Sequence, residues 1–262
     1  MAGSRERGKV KMKTISEIKE ELAGLDIIKY QEFRNRYQED SRAGVQKLIE
    51  QSHKKEAALE AEKLRTEQMK VYEHKYEDLG YLCGIDEVGR GPLAGPVVAG
   101  AVILPKDSQI LYLNDSKKLT AAKREELYDV IMKEAVAVGI GMADPERIDE
   151  INILQATYEA MRQAVSKLSV VPQLLLNDAV TIPEVVIPQV PIIKGDAKSV
   201  SIAAASIVAK VTRDRMMEDY DKIYPEYGFA SNKGYGAQVH IDALKKYGPC
   251  PIHRRTFITH FV

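Results

Sequence analysis

The sequence predicts an α/β domain over residues 80–262, preceded by a helical extension over residues 1–79. After residue 80, short apolar runs of strand length alternate with longer helical patterns, as they do in α/β folds. Before residue 80, the chain contains no proline and is dense in Lys, Glu, Gln and Arg. With 262 residues, of which 45% are hydrophobic, the chain has enough apolar side chains for a packed core.

The extension is predicted to consist of helices. Thr14 followed by Glu17 matches the capping box at a helix start, in which each residue's side chain accepts the other's backbone N–H. From Val45 to Leu79 the pattern predicts one long charged helix with only a thin apolar stripe. Such a stripe can dock on a neighbour or form a short helical hairpin, but it is too narrow to build a large core alone.

The α/β domain is predicted to begin with an antiparallel pair of strands joined by the loop 89–95. Five apolar runs predict strands, at 81–88, 96–104, 135–142, 173–177 and 189–194. Helices are predicted at 120–133, with Thr120 as N-cap, at 145–168 as one or two helices, and at 199–220 and 237–247. The small side chains in 202–206 would let the helix over 199–220 approach a sheet closely.

Composition and charge exclude several classes of protein. Lys and Arg total 38 and Asp and Glu total 38, which excludes a globally basic nucleic-acid coat but leaves room for a local basic patch. Two cysteines, Cys83 and Cys250, are too few for a disulfide scaffold or a Cys-rich zinc module. We find neither an apolar run of membrane-span length nor a signal peptide. We therefore expect a soluble, cytoplasmic protein without a membrane partner.

Four carboxylates, Asp86, Glu87, Asp178 and Asp196, follow or end strand-like runs. A carboxylate in a buried strand is costly unless it is paired or holds a metal, and oxygen-only ligation suits Mg²⁺ or Mn²⁺. A single such Asp is more often a turn or N-cap residue, whereas four together favour a metal site. Neighbouring residues of a strand point to opposite faces, so Asp86 and Glu87 can share a site only through a bulge, a strand end or a backbone contact.

The segment Gly89-Arg90-Gly91 comes directly after the acidic pair. Two glycines around a cation let the backbone approach a ligand closely, although a glycine-rich turn between strands is often purely structural. The segment lacks the Gly-Lys-Ser/Thr ending of a phosphate-binding P-loop, which disfavours a nucleotide triphosphatase.

Several blocks, taken in order, resemble bacterial type 2 ribonuclease H (ribonuclease HII), and together they span essentially all of residues 80–262. The first block is Gly84-Ile-Asp-Glu-Val-Gly-Arg-Gly-Pro-Leu-Ala-Gly-Pro-Val-Val-Ala-Gly-Ala-Val, and the others lie at 115–120 (Asp-Ser-Lys-Lys-Leu-Thr), 194–199, 204–214, 224–229 and 232–236. The helical extension resembles one carried by some Gram-positive members. A type 3 enzyme, which has a β-rich N-terminal domain, is disfavoured by this extension and by the Gly-Arg-Gly segment.

The resemblance implies a ribonuclease H-like fold, with a five-stranded mixed sheet flanked by helices and a C-terminal helical portion. It implies cleavage of RNA in RNA–DNA hybrids and incision 5′ of single ribonucleotides in duplex DNA, leaving 3′-hydroxyl and 5′-phosphate ends. The family's catalytic and metal-binding carboxylates fall on Asp86, Glu87, Asp178 and Asp196, with Mg²⁺ or Mn²⁺ as cofactor. Its ribose-recognising segment falls on Gly89, Arg90 and Gly91, and its junction-sensing tyrosine falls on Tyr235. The one local departure is Asn177, where an aliphatic residue is expected.

Basic residues within the matched blocks are candidates for contacts with substrate phosphates, which would bind nucleic acid without reading its sequence. They are Lys117, Lys118, Lys194, Lys198, Lys210, Arg213 and Lys233. For any one of them, a solvated surface charge is an equal alternative. Tyr235 has an alternative too, since it could simply pack beneath the loop at 232–234. The five histidines lack the spacing of zinc ligands, and we assign them no catalytic role.

Two other classes of protein remain open at this point. One is a catalytically silent module that binds hybrids, against which the four intact carboxylates argue. The other is a recruitment protein that docks through its helical extension, whose partner the sequence does not identify. We expect the enzyme to be a monomer.

Overall fold

The computed structural model describes residues 12–262. Its α-helices are α1 (Ile15–Gly24), α2 (Tyr30–Tyr37), α3 (Ala43–Gln68), α4 (Val71–Lys75), α5 (Ala121–Glu134), α6 (Pro145–Ser166), α7 (Val200–Ile223), α8 (Phe229–Asn232), α9 (Gln238–Tyr247) and α10 (Arg255–Ile258). Its strands are β1 (Leu82–Val88), β2 (Val97–Ile103), β3 (Ala137–Ala143), β4 (Leu174–Asp178) and β5 (Gln189–Ile192). Short 3₁₀ turns occur at Ile27–Lys29, Glu77–Leu79, Ser116–Lys118, Gly195–Ala197 and Pro225–Tyr227.

The packing of the chain divides it into a first unit that ends at Arg65 and a second unit from Thr66 to Val262. In the first unit, α1, α2 and the start of α3 enclose a small apolar core that includes Ile18, Phe33 and Val45. The predicted capping box at Thr14 and Glu17 is confirmed, since each side chain accepts the other residue's backbone N–H. The predicted domain division at 79/80 stays a prediction.

The long helix predicted from Val45 to Leu79 is wrong at its C-terminal end. Helix α3 stops at Gln68, and the chain continues through the short helix α4 and the turn Glu77–Leu79. The break contains neither glycine nor proline. Met69 is buried here in the core beside Val102 and Val208, so tertiary packing overrides the local helical pattern.

The five strands form one mixed sheet in the order β3-β2-β1-β4-β5. The central strand β1 pairs antiparallel with β2 and parallel with β4. At the edges of the sheet, β3 pairs antiparallel with β2, and β5 pairs parallel with β4. All five predicted strands are confirmed, each within two residues of its predicted ends. This order places the ends of β1 and β4 side by side in the middle of the sheet.

Helices cover both faces of the sheet. Helix α6 packs on one face against β3 and β2, and α7 packs on the other face against β1 and β2. The alternation along β1 assigns its residues accordingly, since Cys83 and Ile85 enter the core under α6 whereas Gly84 faces α7. Helix α6 is two helices joined at Asn152, whose φ of 67° is non-helical and whose side chain accepts the N–H of Leu154.

Helix α7 lies in backbone contact with the sheet. A Cβ added at Gly84 would stand 2.0 Å from the backbone carbon of Ser201, and one added at Gly100 would stand 2.5 Å from the Ala205 oxygen. The two glycines lie on neighbouring strands, and the helix above them consists of small residues, as the sequence predicted. The close approach therefore depends on small residues on both sides of the contact.

The C-terminal segment forms a separate cluster of helices beyond the loop that joins β1 to β2. Its apolar core includes Met217, Phe229, Leu244 and Ile252, and it encloses Ala94 of that loop. Within residues 12–262, no helix is long and apolar enough to cross a membrane.

Gly84→Ala should destabilise the protein, because the added methyl group would overlap the α7 backbone, which has no flexible end to move aside. We expect a loss of about 2 kcal/mol or more in the free energy of unfolding, measured by chemical denaturation. Gly24→Ala is the matched control, since a Cβ at this helical position meets nothing within 4 Å. Equal stability of the two variants would contradict the backbone contact between α7 and β1.

Candidate active site

The predicted residue Asp86 lies in the middle of the sheet on the face covered by α7. It follows Gly84 by two residues, so its side chain leaves the strand on the same face. Asp86 is 7% exposed and accepts the Glu87 N–H at 2.8 Å, and the hydroxyl of Ser206 on α7 lowers the pKa of its carboxyl. That hydroxyl lies 3.0 Å from Ser116 Oγ. The close approach of α7 thus brings a polar partner to a buried carboxylate.

Glu87 leaves β1 toward the opposite face. Regular pairing with β2 continues through Asp86 and Glu87, so no bulge turns the two side chains together. Pairing of β1 with β4, however, ends at Ile85 and Asn177, so Glu87 lies beyond the paired part of that edge. Asp86 and Glu87 thus both lie where β1 extends past its pairing with β4, and a shared site for the two side chains stays a prediction. Glu87 forms an ion pair of 3.2 Å with Arg90.

Asp178 is the last residue of β4 and ties this strand to the next predicted site residue. Its Oδ1 accepts the N–H of Gly195 at 2.7 Å, in the turn that carries Asp196. The unexpected Asn177 does not disturb the strand end. It is fully buried, and its amide donates to Val180 O and to the Gln189 side chain.

Asp196 stands on the turn that leads into α7, close to a further carboxylate that the sequence analysis did not single out. The charges of Asp115 and Asp178 both raise its pKa, after burial as the largest cause, while Lys117 and Lys118 lower it. Asp115 caps the turn Ser116–Lys118 by accepting the Lys117 N–H at 3.0 Å. It belongs to the Asp-Ser-Lys-Lys block, so the resemblance contained the signal for it.

Negative charge accumulates at this end of the sheet. Burial raises the pKa of Asp86 well above its usual range, and the charges of Glu87 and Asp178 add to that shift. Burial also raises the pKa of Glu87, against the opposing effect of Arg90. A bound cation would relieve this repulsion.

The donor atoms fit a hard divalent cation, since they are all carboxylate oxygens. Across residues 12–262, no three His, Cys, Asp or Glu side chains already stand in an arrangement that could hold a metal ion. Asp86 and Asp178 each accept a backbone N–H, and Glu87 pairs with Arg90.

The Gly89-Arg90-Gly91 segment is held by a buried guanidinium. Arg254 is fully buried and donates to the carbonyls of Gly89, Arg90 and Gly95, with 2.8 Å to the Arg90 oxygen. Burial lowers the pKa of Arg254 to about 9. Because this value is still above neutral pH, the guanidinium remains charged. No feature of the sequence pointed to this residue, because arginine is usually exposed.

Arg213 plays a corresponding part on the other side of the loop, and the structure corrects its predicted role. The sequence placed it among candidate phosphate contacts, yet it is fully buried and donates to the carbonyls of Pro96, Ala94 and Lys233. It thereby joins the β1–β2 loop to the loop that precedes Tyr235. Lys210 and Lys233 are also engaged, in ion pairs of 2.6 Å with Asp214 and Glu218.

The glycines of the segment differ in what the fold requires of them. Gly89 has a φ of +89°, and a Cβ there would stand 2.3 Å from Arg213 Nε. At Gly91, in contrast, a Cβ would meet only Tyr235 Cε1, at 3.9 Å. In the described part of the chain, no acceptor receives the N–H of Arg90 or Gly91. The segment at Gly91 therefore has space and backbone donors that residues 12–262 do not use.

Tyr235 lies beside Gly91 and is 44% exposed. Its backbone N–H donates to Asn232 O at 2.9 Å, and its carbonyl accepts the N–H of Ala237. The backbone is thus fixed while the ring remains open to solvent. The predicted lysines at 117, 118, 194 and 198 are exposed as well, and Lys117 and Lys118 act electrostatically on Asp196.

The mixed five-stranded sheet flanked by helices, with acidic residues at the ends of β1 and β4, is the fold of the ribonuclease H class of nucleases. A solved structure, ribonuclease H2 from Pyrococcus horikoshii, is similar with a TM-score of 0.57 and 31% identity, over 67% of this chain and 93% of that one. The family model for ribonuclease HII matches residues 83–260, and the model for the ribonuclease HII N-terminal domain matches residues 14–77. The chain belongs to the ribonuclease HII family.

Curated relatives agree along nearly the whole chain. Ribonuclease HII of Lachnoclostridium phytofermentans is 64% identical over 93% of this chain and 96% of its own length. Ribonuclease HII of Clostridioides difficile is 51% identical over 95% of this chain and 99% of its own length. The protein is accordingly a nuclease, an endoribonuclease from a metal-dependent family that acts on the RNA of RNA–DNA hybrids.

Proposed function

We propose that this enzyme, besides cutting the RNA strand of hybrids, incises duplex DNA 5′ of a single embedded ribonucleotide and leaves 3′-hydroxyl and 5′-phosphate ends. One observation carries the proposal. The N–H groups of Arg90 and Gly91, which meet no acceptor within residues 12–262, lie beside the exposed Tyr235 ring and directly follow a strand that carries two carboxylates. Donors for a sugar hydroxyl and acids for phosphodiester hydrolysis therefore occur on one segment of chain.

Asp86, Glu87, Asp178 and Asp196 are the proposed ligands of two divalent cations, Mg²⁺ or Mn²⁺. When bound, such a pair supplies an activated water and stabilises the leaving oxygen in phosphodiester hydrolysis. Around it, Ser206 orients Asp86, and the Gly195 N–H orients Asp178. Arg90, through its ion pair with Glu87, links this carboxylate cluster to the segment that reads the sugar.

Recognition of the substrate is divided between two kinds of group. The backbone of Gly89, Arg90 and Gly91 is proposed to hydrogen-bond the ribose 2′-hydroxyl, and the Tyr235 ring to press against the neighbouring deoxyribose, where a second hydroxyl would clash. The exposed lysines at 117, 118, 194 and 198 are proposed to contact phosphates, which gives binding that weakens with salt and ignores sequence.

Asp178→Asn should abolish cleavage and leave hybrid binding nearly unchanged, because it removes one ligand charge and none of the surface lysines. We expect cleavage to fall by at least about a thousandfold at saturating Mg²⁺, measured on a duplex with one ribonucleotide. Asp219→Asn, at a 72% exposed side chain on α7, is the matched control and should cleave normally. Near-normal turnover of the Asp178 variant would overturn the assignment of Asp178 as a metal ligand. If the wild-type protein binds the duplex but does not cut it, the protein is instead a catalytically silent hybrid-binding module.

Gly91→Ala should keep the fold and lose activity. Its methyl group has room in the protein, but it would stand where the backbone must approach the sugar. We expect the loss of cutting at single ribonucleotides to be at least as severe as the loss on long hybrids. Gly89→Ala serves as the contrast, since it should lower the melting temperature as well. Wild-type activity of the Gly91 variant on both substrates would contradict recognition by the backbone.

Tyr235→Ala should lower cutting at a single ribonucleotide sharply with little change in melting temperature, because the ring is exposed. Tyr235→Phe should retain much of the activity, since the ring does the sensing. Tyr247→Ala, which removes a 54% exposed ring on α9, is the control. If Tyr235→Ala instead weakens both substrates equally and lowers the melting temperature, the ring only packs.

The extension over residues 1–79 is proposed to add affinity for the duplex to a catalytic domain over residues 80–262. A chain that starts at Thr66 should fold and cleave but bind hybrids more weakly and with a smaller salt dependence, since it lacks exposed lysines such as Lys19 and Lys47. A chain that starts at Gly80 should be less stable, because Glu73 accepts from Ser199 Oγ at 2.6 Å and from the Ser201 N–H at 3.0 Å at the start of α7. Unchanged affinity of the chain from Thr66 would leave partner docking as the role of the extension.

A further inference from the structure

Two buried histidines face each other in the C-terminal helical cluster. His240 on α9 is fully buried and His253, just before α10, is 2% exposed, with 2.9 Å between their Nε2 atoms. His240 Nδ1 lies 2.8 Å from the carbonyl oxygen of Tyr235, and His253 Nδ1 lies 3.0 Å from the backbone nitrogen of Cys250. The pair therefore forms a chain of hydrogen bonds that ends at the backbone of Tyr235.

One arrangement of protons satisfies this chain. A carbonyl only accepts, so His240 carries its proton on Nδ1 and leaves Nε2 as an acceptor. His253 must then donate from Nε2, which leaves its Nδ1 to accept the Cys250 N–H. Both rings are neutral, and burial agrees with this, since it lowers the pKa of His253 to about 4 and also lowers that of His240. A proton added to His240 Nε2 would place two N–H groups against each other, and one added to His253 Nδ1 would remove the acceptor of the Cys250 N–H.

The rings are also fixed by packing. Tyr227 and Phe229 contact both imidazoles, with ring centroids between 4.9 and 6.1 Å apart. The Tyr227 hydroxyl in turn donates to Gly248 O at 2.8 Å. The two histidines therefore have little freedom to move, and the Tyr235 carbonyl that they hold is equally restricted.

The position of His253 in the sequence connects this chain of hydrogen bonds to the Gly89-Arg90-Gly91 segment. His253 pairs in a short antiparallel bridge with Ala94 of the β1–β2 loop. Its neighbour Arg254 donates to the carbonyls of Gly89 and Arg90. Two consecutive residues thus fix the two elements that flank the proposed sugar site: His253 acts through His240 on Tyr235, and Arg254 acts on the Gly-Arg-Gly segment.

We propose that His240 and His253 are positioning residues that set the placement of Tyr235 beside Gly91 and thereby determine how strongly the enzyme discriminates the sugar at an RNA–DNA junction. The proposal rests on the proposed role of Tyr235 in sensing the junction. Neither histidine touches the substrate. They act by fixing the backbone from which the sensing ring projects.

The test measures the selectivity ratio, defined as kcat/KM at a single ribonucleotide in duplex DNA divided by kcat/KM on a uniform RNA–DNA hybrid. His240→Leu removes the donor to Tyr235 and should lower this ratio by about tenfold. In His240→Asn, the side-chain amide nitrogen takes the place of Nδ1 and can still donate to the carbonyl, so most of the ratio should return. A loss that Asn does not rescue would overturn the proposal.

A double-mutant cycle separates positioning from general damage. In a Tyr235→Ala background the ring is gone, so His240→Leu should change the ratio no further, whereas a merely structural role predicts the same additional loss in both backgrounds. If Tyr235→Ala alone leaves the ratio unchanged, the proposed role of Tyr235 has failed. If it lowers the ratio but folded His240→Leu does not, the positioning inference has failed by itself.

The proton arrangement can be tested independently of activity by NMR of the imidazole nitrogens in the wild-type protein at pH 7. We expect His240 protonated on Nδ1 and His253 protonated on Nε2, both neutral. The opposite tautomer of His240, or a charged ring at either position, would contradict this chain of hydrogen bonds and overturn the proposal. This result would stand even if the His240→Leu variant failed to fold.

Discussion

The backbone contact between α7 and the central strands is the constraint on which the rest of the site depends. Gly84 and Gly100 leave no room for a side chain, so the helix lies directly on the sheet. At that distance Ser206 reaches Asp86, and the turn before the helix brings Asp196 toward the end of β4, where Gly195 donates to Asp178. A helix held farther away by larger side chains would separate these carboxylates. The two glycines of the sheet therefore determine where the carboxylate side chains lie relative to one another, although the glycines have no chemical role themselves.

The contact has an electrostatic cost, which the fold does not remove. Burial raises the pKa of Asp86, and neighbouring negative charges raise it further. Single hydrogen bonds and the Arg90 ion pair offset only part of this repulsion. A protein optimised for stability alone would place apolar residues here, and the retained repulsion is what the proposed cation site would require.

The strands and helices could be predicted because each has a local signal: alternation or an apolar run for the strands, and caps such as Thr14 and Thr120 for the helices. What could not be predicted arises from contacts between distant residues. The end of α3 at Gln68 has no local signal, because it depends on the burial of Met69. Arg213 resembled a surface cation for the same reason, since its carbonyl partners lie 20 to 119 positions away in sequence. The four carboxylates were accessible from the sequence, whereas Ser206 as a partner of Asp86 was not.

The glycines of the β1–β2 loop illustrate how structure separates two reasons for the same residue. Sequence alone treats Gly89 and Gly91 as equivalent, since both flank Arg90. Gly89 needs its positive φ and the space that Arg213 fills, so the fold explains it completely. Gly91 has neither requirement, and its N–H meets no acceptor in the part of the chain that the structure describes. Gly91 thus adjoins a backbone that the buried Arg254 holds at Arg90 and lies beside an exposed ring, and the close approach of a sugar that we propose would give a small residue a reason at this position.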